Sequence, residues 1–186
     1  SITYPDNSSA AFTRSTAVPH LLDSMTDQAG RTTRYSYNPH SKLIKIIDPA
    51  GGQTRFTYDA AGHASQLIDP KNNVTYFSYN KDNRLTRKQY ADGSNIQFAY
   101  PHGRMTWASN ARGTTSTYSY DRNGNLLTVS YSDGTPGVTT TYDAYNRPVT
   151  VTDALGSRTI SYDASSRVTS IDGPWASDTL SFVYDT

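Results

Sequence analysis

The chain has no cysteine among its 186 residues, which rules out disulfides, thiol nucleophiles and cysteine-ligated metals. Its four histidines lack the close spacing of a zinc site. Excess charge is missing as well. With 17 Lys and Arg against 16 acidic residues the formal charge is +1, so no strong field draws in nucleic acid or an anionic membrane. No apolar run approaches the roughly 20 residues of a transmembrane helix. Residue 1 opens directly into strand-like "SITY" without a basic, apolar-cored leader, and the expectation is a piece of a longer chain. Hydrophobic residues make up only 35% and include 15 half-polar Tyr, thin material for a two-layer core.

What the chain does have is repetition. "FSYNKDNRLTRKQYADG" at residues 77–93 is written again, with changes, as "YSYDRNGNLLTVSYSDG" at residues 118–134. Tyr37, Tyr58, Tyr79, Tyr100, Tyr120, Tyr142, Tyr162 and Tyr184 stand 21, 21, 21, 20, 22, 20 and 22 residues apart. A second column, Asp6, Asp27, Asp48, Asp69, Tyr90, Asn110, Tyr131, Asp153 and Asp172, keeps step with it. Asp6 opens a degenerate copy in which Thr16 stands where a tyrosine belongs.

Each copy divides by its chemistry. Stretches such as Thr33-Arg34-Tyr35-Ser36-Tyr37 set β-branched and aromatic residues at period two, which suits a pleated strand. Asp121-Arg122-Asn123-Gly124 reads as a tight turn, since Asp can bond its own backbone two residues on and Gly accepts positive φ. A return strand follows, as at Arg84 to Lys88, and ends in a second turn such as Asp48 to Gly51 or Asp153 to Gly156. The unit is strand, turn, strand, turn, with antiparallel pairing through short loops. Helix has little room, although "SSAAFTRSTAV" near the N-terminus allows a short helical or irregular segment. With Leu43, Lys45 and Ile47 on one face and Ile44 and Ile46 on the other, neither face reads as dry. The expected fold is all-β: a single-layer, curved antiparallel sheet of repeated β-hairpins, with tyrosines of successive copies in register. Residues 1–186 are expected to form one array of about eight to nine units, 1–25 being the degenerate first one.

Written together, Tyr-x-Tyr-Asp-x-x-Gly-Arg-Leu and Asp-Pro-x-Gly resemble the YD-repeat, or Rhs-repeat, family of bacterial polymorphic toxins, insecticidal toxin complexes, wall-associated proteins and teneurins. The resemblance implies a β-ribbon spiralling into a hollow shell, usually around a C-terminal toxin or effector. It also implies flanking YD repeats as partners and a secreted or cell-surface bacterial setting. Asn38, Asn80 and Pro101 depart from the Asp of the Tyr-Asp pair, and Lys42, His63, Met105 and Asn125 stand near the usual Arg. Family members often carry an aspartyl self-cleaving junction. Here Asp48-Pro49-Ala50-Gly51-Gly52 matches only the part that is also the repeat turn.

The candidate residues are therefore structural. They are the eight tyrosines of the first column and the turn residues Asp27, Gly30, Asp48, Gly51, Asp69, Asp121, Gly124, Asp153 and Gly156. Each turn offers one Asp, too few oxygens for a calcium loop, so no metal or other cofactor is expected. The basic column Lys42, His63, Arg84, Arg104, Arg147 and Arg167 suits a phosphate or sulfated glycan in principle. Interleaved Asp59, Asp121, Asp143 and Asp163 favour local Asp–Arg pairing and Arg–Tyr stacking. Histidines 20, 40, 63 and 102 read as loop residues, and Trp107 and Trp175 as space fillers rather than sugar platforms. Nucleophile-elbow, zincin and phosphate-loop motifs are absent. The expected function is a non-catalytic shell segment that encloses or presents a polypeptide. The alternative is an adhesion module binding glycan through its Tyr and Arg columns.

Overall fold

A computed structural model describes residues 2–3, 9–16 and 20–185. It divides into two compact units, Ser1–Asn95 and Ile96–Thr186. The N-terminal unit holds β1 (Ile2–Thr3), β2 (Ser9–Arg14), β3 (Leu22–Thr26), β4 (Thr32–Tyr37), β5 (Leu43–Ile47), β6 (Gln53–Tyr58), β7 (Ala64–Ile68), β8 (Val74–Tyr79) and β9 (Leu85–Gln89). Beginning at the boundary, the C-terminal unit holds β10 (Asn95–Ala99), β11 (Trp107–Ser109), β12 (Thr115–Tyr120), β13 (Leu126–Tyr131), β14 (Val138–Tyr142), β15 (Pro148–Asp153), β16 (Gly156–Tyr162), β17 (Val168–Asp172) and β18 (Leu180–Ser181). Within each unit every strand pairs antiparallel with the next one along the chain. Helix is confined, among the described residues, to one 3₁₀ turn at Pro101–Gly103.

Two expectations for the N-terminus need correction. The stretch left open for helix contains β2, whose Phe12 lies opposite Met25 of β3. Alternating side chains on a strand with a partner outweigh the weak pattern seen in isolation. Arg14 rather than Thr16 takes the ladder place, because it pairs with Leu22 as Tyr37 pairs with Leu43. Asp6 lies outside the described residues.

Directly opposed residues share a face of the sheet, and the observed register sorts the faces in a way that counting along the sequence did not. In the N-terminal unit, Phe12 and Met25, Tyr35 and Ile46, and Phe56 and Leu67 are opposed on one face. Ser24 and Arg34, Lys45 and Arg55, and Gln66 and Tyr76 are opposed on the other. In the C-terminal unit Tyr118 opposes Val129, and Ile160 opposes Ile171. The reverse face is a carpet of hydroxyls, with Thr128 opposite Thr139, Thr150 opposite Thr159, and Ser170 opposite Ser181.

The sheet is amphipathic, and a bulge explains why the sequence reads otherwise. Tyr37 pairs with Leu43 while Ser36 pairs with Lys45, so Ile44 is an extra residue. Leu43 thereby joins the face of Tyr35, not that of Lys45. The same register shift recurs at Tyr58, Tyr79, Tyr120, Tyr142 and Tyr162, adding local twist beside each.

An amphipathic antiparallel sheet ordinarily packs its apolar face on a second layer. Within either unit no such layer exists: among the described residues only Ala10, at 7% exposure, is a buried hydrophobic, and no large side chain is fully enclosed. All five residues of β5 are half-buried by their lateral neighbours instead.

The 3₁₀ turn contains one of the seven non-glycine residues with positive φ among the described residues. His102 sits in the left-handed region at φ 55 and ψ 26, which disfavours a side chain with a Cβ by about 1 kcal/mol. We expect His102→Gly to raise the urea midpoint, corresponding to a stability gain of at most about 1 kcal/mol once the freer unfolded chain is counted. His40→Gly, in a turn place without positive φ, is expected to give no such gain.

Candidate functional site

The building block of the repeat is a turn. An aspartate oxygen sits one methylene from its own backbone, close enough to accept from amides two and four residues on. At Asp48, Oδ1 accepts from the amides of Ala50 (2.8 Å) and Gly52 (2.9 Å). The backbone closes around it through Gly51 N–H to Asp48 C=O (3.0 Å) and Asp48 N–H to Gly52 C=O (2.9 Å). This is a three-residue hairpin loop whose last residue is left-handed: φ is 87° at Gly51, 63° at Asn83 and 65° at Ser166.

The same geometry recurs at both edges of the sheet. Asp27, Asn38, Asp48, Asp59, Asp69 and Asn80 follow one another at steps of 11, 10, 11, 10 and 11. The Asn38 and Asn80 side chains accept from the same two amides at 2.9–3.0 Å, so these departures from Asp preserve the cap. The two sequence columns are thus one motif with half the apparent period. Tyr90 and Tyr131 cannot cap; there Asp92 accepts from the amide of Ser94 (2.9 Å) and Asp133 from that of Thr135 (3.0 Å). The chain has no glutamate, and all 16 of its acids are aspartate.

Consecutive copies are joined by a seam along the tyrosine edge. The Tyr58 hydroxyl donates to Leu43 C=O at 2.7 Å, reaching the first residue of the preceding return strand. Tyr37 reaches Leu22 (3.0 Å), Tyr120 Met105 (2.8 Å), Tyr142 Leu126 (3.0 Å), Tyr162 Pro148 (2.8 Å) and Tyr184 Val168 (2.8 Å). The basic column covers the rings. Lys42 Nζ lies 5.2 Å from the Tyr58 centroid, and the guanidinium of Arg147 lies 4.4 Å from that of Tyr162. Arg167 covers Tyr184 at 4.6 Å and Arg104 covers Tyr120 at 5.8 Å.

Behind the ring, Arg147 and Arg167 each turn to their own turn acid. Arg147 reaches Asp143 Oδ2 at 2.7 Å, and Arg167 reaches Asp163 Oδ2 at 2.7 Å. Lateral stitches complete the edge: Arg147 Nη1 donates to Ser166 Oγ (3.0 Å), and Asn125 Nδ2 to Asn146 Oδ1 (2.7 Å).

Several places differ from the sequence reading. His63 is no loop bystander but fills the basic column, with Nδ1 3.0 Å from Asp59 Oδ2 and its ring stacked on Tyr79 at 4.7 Å. Asn125 takes the same place by donating to Asp121 Oδ2. Trp175 fills no space, being 60% exposed. In its wide turn Asp178, unmarked in the sequence, accepts from the amides of Gly173 and Trp175, both at 3.0 Å. Only its spacing beyond Asp172 hinted at such a role. Asp153 pairs with Arg158 across the hairpin rather than along the edge. Phe98 and Tyr100 lie tilted at 6.4 Å.

Donors converging on Asp27, Asp59, Asp69, Asp92, Asp121, Asp133, Asp143, Asp153 and Asp163 hold these carboxylates below the ordinary aspartate value. For Asp163 the Arg167 amide leads, with its guanidinium next; for Asp59 the His63 ring leads, with its amide next; for Asp121 the leading donor is the Asn125 side-chain amide. Burial together with the nearby Asp59 charge pushes the Tyr79 phenol up. Among the described residues no three metal-ligating side chains converge. The arrangement can brace a backbone, and its polar groups are directed at one another.

Comparison with known proteins agrees with this geometry. The teneurin YD-shell model matches residues 18–102, and the RHS repeat model matches residues 107–136 and 142–174. The chain belongs to the YD-repeat, or Rhs-repeat, family. No curated protein matches it. Among solved structures, this YD-repeat chain is similar in fold to the TcdB2-TccC3 crystal structure, with TM-score 0.67 and 15% identity over 90% of this chain and 11% of that one. The Photorhabdus luminescens Tc holotoxin pore aligns with TM-score 0.61 and 17% identity over 76% of this chain and 9% of that one. TcdB2-TccC3-TEV aligns with TM-score 0.63 and 13% identity over 92% and 13%. The chain therefore spans about a tenth of the length of these structures.

Three outcomes follow from the seam. Tyr142→Phe, which removes one hydroxyl donor, is expected to cost about 1 kcal/mol by chemical denaturation. Asp48→Asn should leave stability nearly unchanged, because Asn38 and Asn80 cap equally well and only Oδ1 of Asp48 is used, whereas Asp48→Ala should cost about 1 kcal/mol; a costly Asn variant would contradict the cap. Since those nine carboxyls titrate below their unfolded value, their contribution is fully present above about pH 4 and is lost as pH falls through the lowered folded values. Acid unfolding followed by circular dichroism is therefore expected below pH 4, with no loss between pH 5 and 8.

Proposed function

We propose that residues 1–186 act as one continuous array segment in the wall of a larger YD-repeat shell that encloses or presents another polypeptide, with no chemistry of its own. Its eight tyrosines and the turn residues Asp27, Gly30, Asp48, Gly51, Asp69, Asp121, Gly124, Asp153 and Gly156 serve as the residues that hold this wall. The observation that carries the reading is the seam: six ladder hydroxyls donate to main chain and cations cover the rings of Tyr58, Tyr120, Tyr162 and Tyr184, which leaves few of these groups for a substrate. Membership of the family and likeness to Tc toxin structures support it. Flanking YD repeats, an enclosed toxin or effector, and a secreted or cell-surface setting belong to the same proposal.

Compartmentation is the physical mechanism. A wall with paired strands leaves no free backbone to template aggregation, and cargo behind it meets neither protease nor target. In the full-length protein, Tyr142→Ala with Tyr162→Ala should open the wall. We expect limited proteolysis to release cargo fragments at least tenfold faster than in the wild type while flanking repeats stay folded. Equal protection in both proteins would refute enclosure. Saturable glycan binding that vanishes with these tyrosines would favour adhesion instead.

A further inference from the structure

Among the cavities, edges and faces of the molecule, the polar face of the N-terminal unit is the one whose chemistry the scaffold does not require. Two places recur on this face in every copy: three residues before the ladder tyrosine, and the middle of the return strand. In the C-terminal unit they hold Thr117, Thr128, Thr139, Thr150 and Thr159. In the N-terminal unit the same places hold Arg34, Lys45, Arg55 and Arg87, beside Ser24, Gln66 and Tyr76.

The register places these cations close together. Lys45 stands directly opposite Arg55, and Arg34 lies diagonally across from Lys45, since Ser36 opposes Lys45 and Arg34 opposes Ile47. Neighbouring strands lie about 4.8 Å apart, so the three cations span roughly 10 Å of one face. Like charges directly opposed destabilise a sheet, and the Thr128–Thr139 pair shows that the fold accepts hydroxyls there. Arg34, Arg55 and Arg87 are exposed. Arg55 donates to Asn72 Oδ1 (2.9 Å), and none of the four cations takes part in an ion pair among the described residues. Within β2–β9 the only acid is Asp23, bonded by Thr13.

We infer that this face, centred on Arg34, Lys45 and Arg55, docks a short acidic stretch of polypeptide. Carboxylates match guanidinium donors two at a time. The strip is too narrow for a long polyanion, because turn acids at both edges of the sheet bound it, Asp27, Asp48 and Asp69 on one side and Asp59 on the other. A chain of phosphates or sulfates would run off the cations onto carboxylates, and a net charge of +1 gives it no long-range attraction. The inference goes beyond enclosure, since it applies to any polypeptide meeting this face, and its failure leaves the shell reading untouched.

The test is fluorescence anisotropy with a labelled tri-aspartate peptide, about 10 Å long when extended, at low salt. The proteins are the wild type, a patch variant (Arg34→Thr, Lys45→Thr, Arg55→Thr) and a charge-matched control (Lys71→Thr, Lys81→Thr, Arg112→Thr). We expect saturable wild-type binding, at least tenfold weaker binding by the patch variant, and less than a twofold change in the control. The patch variant should melt no lower than the wild type, because it imports the threonine row of the C-terminal unit and removes a like-charge pair. Absence of wild-type binding, or equal loss in both variants, overturns the proposal. So does tighter binding of a single-stranded oligonucleotide or a sulfated oligosaccharide than of the peptide at the same three residues.

Discussion

One constraint governs this molecule: a carboxylate or amide oxygen, one methylene from the backbone, holding two amides of a three-residue loop. It fixes where each strand stops and how far the chain travels before turning back. It also explains the composition. Glutamate, one methylene longer, does not form this short-range cap, and the chain contains none. Where the leading Asp is lost, Asn inherits its bonds, or an Asp two places on takes over, so the turn outlives any particular residue.

Because no large side chain among the described residues is fully enclosed, stability has to be distributed. Each tyrosine hydroxyl on a carbonyl is worth about 1 kcal/mol, and each partly exposed ion pair less. Such terms accumulate along a one-dimensional array rather than in a core, as in other repeat proteins. The tyrosine is central to that scheme. Its ring gives a neighbouring cation a surface to cover, and its hydroxyl reaches past the bulge to the preceding copy, so one side chain serves as spacer, donor and platform.

The turns and strands were legible in the sequence because their causes are local: period-two aromatics, Asp with Gly three places on, and a recurring tyrosine. The half-period was hidden because only alternate turns follow a tyrosine, which made one motif look like two. The sorting of faces was hidden for a physical reason. A bulge inserts one residue between Tyr37 and Lys45, and alternation counted across it assigns Leu43 to the wrong side. The repeat spacing put His63, unlike His40, in the basic column, but its ring stacking on Tyr79 and its pairing with Asp59 needed coordinates. Asp178 was invisible for a related reason: its partners lie in a turn of unusual length.

In all six hydroxyl bonds described along the ladder the acceptor is main chain, whether the residue supplying it is Leu22, Met105, Pro148 or Val168. Replacing such a residue changes a side chain and leaves its carbonyl in place. Drift in these copies therefore erodes the text of the repeat without touching its fastening, and two copies need share almost nothing beyond a phenol and a backbone to lock together.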